Sequence, residues 1–157
     1  REVMMPRSLT WLWPGEVAVS STPKSAEQIQ AFYDALGLGL VITLTKEEPL
    51  KSEWFSKACQ NRLYPIPNYH APTLTQMVVI GDEIVRSLAV HGAVLEHCGG
   101  GKGRAGTVAA CLLLRFGRNG IRDRIRVENL DDGPTQSLRP RVPFLTSAEA
   151  VTEIRSV

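Results

Sequence analysis

The chain has 157 residues, 43% of them hydrophobic and 22% charged, which suits one folded domain and excludes a disordered chain. Its 18 basic and 16 acidic side chains leave a net charge of +2, too small to indicate a nucleic-acid or membrane-surface protein. The three cysteines lack the spacing of a zinc site or a disulfide framework, and no apolar run reaches the ~20 residues of a membrane span. We therefore expect an intracellular protein, cytoplasmic or nuclear, without a metal or cofactor.

The first third of the chain predicts strands separated by one helix. Residues 9–21 alternate around a Pro-Gly pair and predict two short strands joined by a turn. A capping motif at Ser25 starts a helix with apolar residues at helical spacing, and Gly37 ends it. Residues 40–44 are rich in β-branched side chains and predict a buried strand, and residues 62–66 predict a weaker one.

The second part continues the alternation. A proline-rich loop over residues 65–72 precedes a helix that Thr73 caps. Residues 93–95 predict a strand, the glycine-rich segment 98–106 follows, and residues 107–116 are apolar nearly all round, as in a buried helix. This order predicts an α/β fold with a central, mostly parallel sheet flanked by helices.

The segment 119–145 is the least interpretable part of the chain. Five arginines and four carboxylates are spread along it, which fits a solvated loop or insertion. The alternative is a basic rim that attracts an anionic substrate. A capping motif at Thr146 predicts a final helix that runs to the end of the chain.

The chemistry is concentrated between a predicted strand and the buried helix. His97 and Cys98 are followed by a glycine-rich turn, and Arg104 lies where the helix begins. Glycines allow a loop to curl with its backbone N–H groups inward, and a helix N-terminus adds its positive dipole end. Such a cradle fits a phosphate-sized dianion, and an arginine can grip two of its oxygens. The predicted phosphate-binding residues are Gly99, Gly100, Gly101, Lys102, Gly103 and Arg104.

Cys98 lies at the base of this cradle, where the amides and the dipole would stabilise its thiolate and make it a nucleophile. His97 is interpreted as a scaffold group that orients the loop. A nucleotide-binding Walker A loop is excluded because Lys102 is followed by Gly103 and not by Ser or Thr. The alternative to a nucleophile at Cys98 is a buried cysteine with no chemical role, which is what we expect for Cys111 in the apolar helix.

The pattern His97-Cys98-x5-Arg104 resembles the signature of the cysteine-dependent protein tyrosine phosphatases, and its glycine-rich form resembles the small atypical dual-specificity phosphatases. The resemblance covers residues 8–118 and 146–157. It implies one phosphatase domain over residues 1–157 that is short at its C-terminus, and a two-step mechanism through a phosphocysteine. It also implies a phosphorylated protein or a small phosphorylated molecule as substrate, with no nucleic acid, metal or cofactor. The oligomeric state is left open.

The chain departs from that family at the general acid. The family places an Asp about thirty residues before the Cys, in a proline-rich loop, and here that position is Asn68. The Ser or Thr that follows the Arg in the family is Ala105 here, and Thr107 lies two residues further on. An amide cannot donate a proton as an acid does, and losing a general acid lowers the rate by ~10²–10⁴.

Three interpretations of Asn68 stay open. His70 could act as a substitute acid in a working phosphatase. The leaving group could need no proton, as in a phosphoanhydride. The domain could also be a weak or inactive relative that binds phosphorylated partners, and an engineered Asp→Asn trap would have the same sequence.

Two charged residues at the loop need a separate interpretation. Glu96 precedes the His on a buried strand, where an unpaired carboxylate is costly, so we expect it to pair with an arginine. Lys102 is expected to face outward, either as a solvated side chain or as added positive charge that favours a polyanionic substrate.

Overall fold

The structure, a computed structural model, describes residues 5, 6 and 8–129. Its strands are β1 (Thr10–Trp13), β2 (Val17–Ser20), β3 (Leu38–Thr43), β4 (Gln60–Leu63) and β5 (Ala93–His97). Its helices are α1 (Ala26–Leu36), α2 (Leu74–Val90), α3 (Arg104–Phe116) and α4 (Ile121–Asn129), with one 3₁₀ turn at Ser52–Trp54. None of these helices is both long and apolar enough to cross a membrane.

The strands form one sheet in the order β1-β2-β5-β3-β4, with β5 in the middle. β1 pairs antiparallel with β2, and the other three pairs are parallel. This confirms the predicted α/β fold. Because parallel strands end at the same edge of a sheet, the loops that follow β2, β3, β4 and β5 meet at that edge, where ligands bind in open α/β sheets.

Helices cover both faces of the sheet. On one face, Ile29 and Phe32 of α1 pack on Val41 and Leu95. On the other face, apolar side chains of α2 and α3 pack on the alternate strand residues, among them Val94. The central strand is buried from end to end, so the loop that follows it starts from a rigid support.

The capping signals place the first two helices correctly. Ser25 accepts a hydrogen bond from the Gln28 amide at 3.2 Å, and Gly37 ends α1 in the left-handed region at φ 68°. Thr73 and Gln76 form a reciprocal capping box at the start of α2. The side-chain amide of Gln76 also donates to the Pro65 carbonyl at 2.7 Å, which ties the proline-rich loop to α2.

Several predicted boundaries are shifted. The strand expected at 62–66 lies at Gln60–Leu63, since its pairing with β3 is set by register and not by local apolar content. The strand expected at 40–44 is Leu38–Thr43. The buried helix begins at Arg104, where the sequence placed its start.

The prediction of a loop at 119–145 is wrong for its first part, which forms α4. The carboxylate of Glu16 accepts hydrogen bonds from the amides of Ile121 and Arg122, at 2.7 and 3.0 Å, and so caps this helix. Asp123 and Arg126 pair along its surface at 2.8 Å. The cap comes from a residue more than 100 positions away, which local patterns cannot reveal. The helix expected from Thr146 lies outside the described residues.

Candidate active site

The site is built where the parallel strands end. β5 ends at His97, and Cys98 begins the loop that leads to α3 at Arg104. The loop after β3 brings Glu47 to the same edge, and the loop after β4 brings Asn68. Chain topology therefore assembles groups that are up to 57 residues apart in sequence, from Glu47 to Arg104.

The loop after β5 is held by its carbonyl groups. The hydroxyl of Thr22 donates to the Cys98 carbonyl at 3.1 Å, and the amide of Thr22 donates to the Gly99 carbonyl at 3.2 Å. The Ser8 hydroxyl lies 3.4 Å from the Gly100 carbonyl. In a planar trans peptide the C=O and the following N–H point in opposite directions. Because these carbonyls face Ser8 and Thr22, the N–H groups of the next residues point to the opposite side of the loop.

One glycine in this loop is required by geometry. Gly101 has φ 77°, and a Cβ there would lie 2.5 Å from the Ser8 Oγ and 2.7 Å from the Ser20 carbonyl carbon. A Cβ at Gly99 or Gly100 would meet nothing within 4 Å. The glycine count in the sequence thus overstates how many of these positions need glycine for steric reasons.

Cys98 is 3% exposed and lies between the end of β5 and the first turn of α3. The ring of His97 is buried, with Nε2 2.8 Å from the Thr43 hydroxyl and Nδ1 3.3 Å from the Cys98 carbonyl. Burial lowers the pKa of His97 to about 4, so the ring is neutral at physiological pH. These contacts suit a group that supports the loop and does not exchange protons.

Arg104 begins α3 and turns back towards the loops after β3 and β4. Its Nη1 donates to the Ile66 carbonyl at 3.0 Å, and its Nη2 lies 2.6 Å from a carboxylate oxygen of Glu47. The side chain is only 8% exposed. Within the described residues these two contacts use two of its five N–H groups, so the others can meet an oxyanion. The guanidinium also lowers the pKa of Glu47, which keeps that carboxylate charged.

Sequence reasoning missed Glu47 and Thr22. Both lie in segments whose local patterns carry no functional signal. Their position just after β3 and β2, at the edge where parallel strands end, is the signal that could have found them.

The proline-rich loop lies beside the start of α3. An open cavity of about 360 Å³ separates the two, and Asn68 and His70 are on its wall together with Arg104. The cavity is lined by Asn68, Tyr69, His70, Ala71, Gly103, Arg104 and Thr107. The structure therefore brings the predicted general-acid position to the same cavity as the predicted phosphate clamp.

The positions after Arg104 offer little to a leaving thiolate. Ala105 is fully buried and has no hydroxyl. The Thr107 hydroxyl donates to the Gly103 carbonyl at 3.1 Å, one turn back along the chain. This bond holds the Thr107 hydroxyl against the helix backbone. Thr107 also lines the cavity that His70 lines.

Among the described residues, the expectation that Glu96 pairs with an arginine is not met. Its side chain is fully buried, and neither carboxylate oxygen has a hydrogen-bond partner among the described residues. Alternation along β5 places it on the face that carries Val94 and Cys98. Burial, and to a lesser degree the charge of a thiolate at Cys98, raise the pKa of Glu96 well above its ordinary value of 4.5.

The remaining thiols and charges lie in ordinary surroundings. Burial raises the pKa of Cys59 to about 11 and also raises the pKa of Cys111, as suits structural thiols. Lys102 is exposed, as expected. In the part of the chain that the structure describes, no three His, Cys, Asp or Glu side chains come together as metal ligands would.

Solved structures share this fold at low sequence identity. A structure described as Tk-PTP in the active form has 23% identity and a TM-score of 0.62, over 96% of this chain and 95% of its own. The core catalytic domain of the PP-IP phosphatase SIW14 from S. cerevisiae, in complex with citrate, has 15% identity and a TM-score of 0.60, over 98% and 87%. PTPMT1 in complex with PI(5)P has 16% identity and a TM-score of 0.60, over 78% and 81%.

A family model described as "Swiss Army Knife protein, DSP-PTPase phosphatase domain" matches residues 6–156. This match covers nearly the whole chain, and the fold and the signature loop agree with it. The chain therefore belongs to this family of dual-specificity, cysteine-dependent phosphatase domains.

Proposed function

We propose that the domain hydrolyses phosphate monoesters through a phosphocysteine on Cys98. The observation that carries this proposal is the loop after β5, whose carbonyls are hydrogen-bonded outward at Cys98, Gly99 and Gly100. Its N–H groups and the first turn of α3 thereby face one concave space with the buried thiol at its base. That arrangement binds a tetrahedral dianion and presents its phosphorus to the sulfur.

In the first step the Cys98 thiolate attacks phosphorus, an S–P bond forms, and the P–O bond to the leaving group breaks. The loop amides and the free N–H groups of Arg104 hold the three equatorial oxygens, where charge is concentrated in the transition state. In the second step water attacks phosphorus, and the thiolate leaves with inorganic phosphate as the product. Because Ala105 provides no hydroxyl for the leaving sulfur, we expect this second step to be slow.

The substrate we propose is a phosphorylated protein or a small phosphorylated molecule. The cavity of about 360 Å³ beside Arg104 is open, and Lys102 adds an exposed positive charge to the loop. Both features favour a ligand with more than one anionic group. Two structures of similar fold are described with such ligands or substrates, PI(5)P in one case and PP-IP in the other.

A second candidate function is the hydrolysis of a phosphoanhydride. Asn68 occupies the general-acid position, and its Oδ1 accepts a hydrogen bond from the Tyr69 amide at 3.1 Å. An amide side chain cannot protonate an alcohol, whereas the phosphate that leaves an anhydride departs without a proton. This candidate accounts for Asn68 without any further acid.

The test is hydrolysis of three substrates that differ in leaving group: p-nitrophenyl phosphate, an alkyl phosphate, and inorganic pyrophosphate. We expect the wild type to hydrolyse the aryl ester. Cys98→Ser should abolish this activity, whereas the matched control Cys111→Ser should retain it. Pyrophosphate turnover far above both esters would favour the second candidate. Inertness towards all three, with inorganic phosphate still bound, would instead show a phosphate-binding pseudoenzyme and overturn the proposal.

A further inference from the structure

The cavity beside Arg104 contains one side chain whose chemistry suits both an acid and a base. Of its lining residues, Asn68 cannot act as an acid, and Arg104 does not release its proton. Tyr69 is 97% exposed, so almost all of its surface faces solvent. The imidazole of His70 is left as the lining group whose ring nitrogens can both donate and accept a proton.

The backbone around His70 is held in a strained turn. The His70 amide donates to the Pro67 carbonyl at 3.0 Å, which closes a four-residue turn with Asn68 and Tyr69 at its tip. Tyr69 has φ 63°, the one left-handed non-glycine residue among the described positions. A positive φ at the third position is the pattern of a type II turn, which normally has Gly or Asn there. A bulky aromatic residue in that position is strained by about 1–3 kcal/mol, and such strain is concentrated at functional sites.

The strained turn fixes the imidazole ring. In a type II turn the central peptide is flipped relative to the commoner type I turn, which reorients the carbonyl of the second residue. That carbonyl belongs to Asn68, and its oxygen lies 2.8 Å from Nδ1 of His70. A carbonyl can only accept, so Nδ1 carries the hydrogen, and Nε2 is the nitrogen left to exchange a proton with a substrate.

The loop that carries His70 is also tied to the phosphate clamp. Arg104 donates to the Ile66 carbonyl at 3.0 Å, four residues before His70. The carbonyl of Pro65 is held by Gln76, as described above. The loop is therefore held at Pro65 by Gln76 and at Ile66 by Arg104. The guanidinium that would bind the phosphate thus helps to position the loop that would protonate the leaving group.

We propose that His70 is the general acid and base of this phosphatase and replaces the carboxylic acid that Asn68 lacks. This inference rests on the proposed function, because it assigns the proton transfers of the same reaction. With His70 as the acid, the domain can hydrolyse alkyl phosphates, whose leaving group needs a proton. Asn68 then no longer implies a phosphoanhydride substrate.

The proton balance is complete with this assignment. As the Cys98 thiolate bonds to phosphorus, the electron pair of the breaking P–O bond goes to the ester oxygen, which takes the proton from Nε2 of cationic His70. The alcohol leaves and the imidazole is neutral. In the second step Nε2 takes a proton from the attacking water, the S–P bond breaks with its pair on sulfur, and inorganic phosphate departs.

The experiment compares leaving groups in His70→Gln, with His91→Gln as the matched control. His91 ends α2 at the opposite end of β5 and is exposed like His70. We expect His70→Gln to lower kcat/KM on an alkyl phosphate by about 100-fold, within the effect of a general acid, and on p-nitrophenyl phosphate by less than about threefold, because kcat/KM reports the first step and not the slow second one. The slope of log kcat/KM against leaving-group pKa should steepen accordingly, and adding Asn68→Asp should restore kcat/KM on the alkyl ester.

Each other outcome is decisive. Equal losses of kcat/KM on both esters, or no loss on either, would overturn the role of His70. The proposed function would still stand if aryl turnover depends on Cys98. A wild type that hydrolyses the aryl ester but no alkyl ester would also overturn the role of His70. Inertness of the wild type on every substrate would overturn the proposed function itself. Thermal unfolding of each variant checks that the domain is folded.

Discussion

Glu96 provides a quantitative test of the packing beside the loop that follows β5. Its carboxyl group is fully buried on the central strand and has no hydrogen-bond partner among the described residues. A buried polar group without a partner is destabilising by about 1–3 kcal/mol. Replacing it by Leu, which is similar in size and apolar, should therefore raise the free energy of unfolding by about that amount.

The stabilisation should depend on pH. In the unfolded chain this carboxyl has its ordinary pKa of 4.5, whereas burial raises its pKa in the folded protein. Above pH 4.5 the folded state retains a proton that the unfolded state has lost, so stability decreases as pH rises, by about 1.4 kcal/mol per pH unit, until the folded pKa is reached. Below pH 4.5 both states are protonated and this contribution is constant.

The assay is urea-induced unfolding of the wild type, Glu96→Leu and Glu96→Gln at a series of pH values. Glu96→Gln removes the titration but keeps buried polar atoms, so it separates the two effects. The stability gained in Glu96→Leu should grow with pH above 4.5, and the difference between Leu and Gln should stay constant. A gain that does not change with pH, or a loss of stability in Glu96→Leu, would refute the assignment of a protonated, unpaired carboxyl.

Three further predictions concern the loop. Iodoacetate at about pH 6 should alkylate Cys98 faster than Cys59, whose pKa burial raises to about 11; equal rates would contradict the anion site. Gly101→Ala should abolish turnover and destabilise the domain by about 1–3 kcal/mol, because of its positive φ and the contacts a Cβ would make, whereas Gly100→Ala should stay within about 0.5 kcal/mol of wild type in unfolding experiments. Because the pKa of His97 falls from 6.5 to about 4 on folding, its own contribution to stability should decrease as pH falls through that range, by about 3 kcal/mol in total and opposite in sign to that of Glu96; the stability difference between wild type and His97→Gln should show this dependence.

Local signals in the sequence predict the elements that carry the site. The capping residues Ser25 and Thr73 place two helices within a residue, and the apolar strand before His97 places the centre of the sheet. The signature from Cys98 to Arg104 is contiguous, so its place between strand and helix follows from local patterns alone. These features are set by interactions between near neighbours in the chain.

Contacts between distant segments could not be predicted. The cap that Glu16 provides to α4 and the bond between Glu47 and Arg104 join residues from different loops, and neither has a local pattern. The strained φ of Tyr69 is likewise invisible in the sequence, since tyrosine gives no turn signal. Among the described residues Glu96 is buried without a hydrogen-bond partner, although the sequence led us to expect a paired carboxylate. Because burial raises its pKa, the group can keep its proton and avoid burying a charge.

The most direct test of the account is detection of the phosphocysteine. Wild-type protein is mixed with p-nitrophenyl phosphate, quenched with denaturant during turnover, digested, and analysed by mass spectrometry. We expect one phosphoryl group on the peptide that contains Cys98, in amounts that accumulate because Ala105 gives the second step no hydroxyl. Turnover with no phosphorylated cysteine, or with the phosphoryl group on Cys59 or Cys111, would contradict the proposed mechanism.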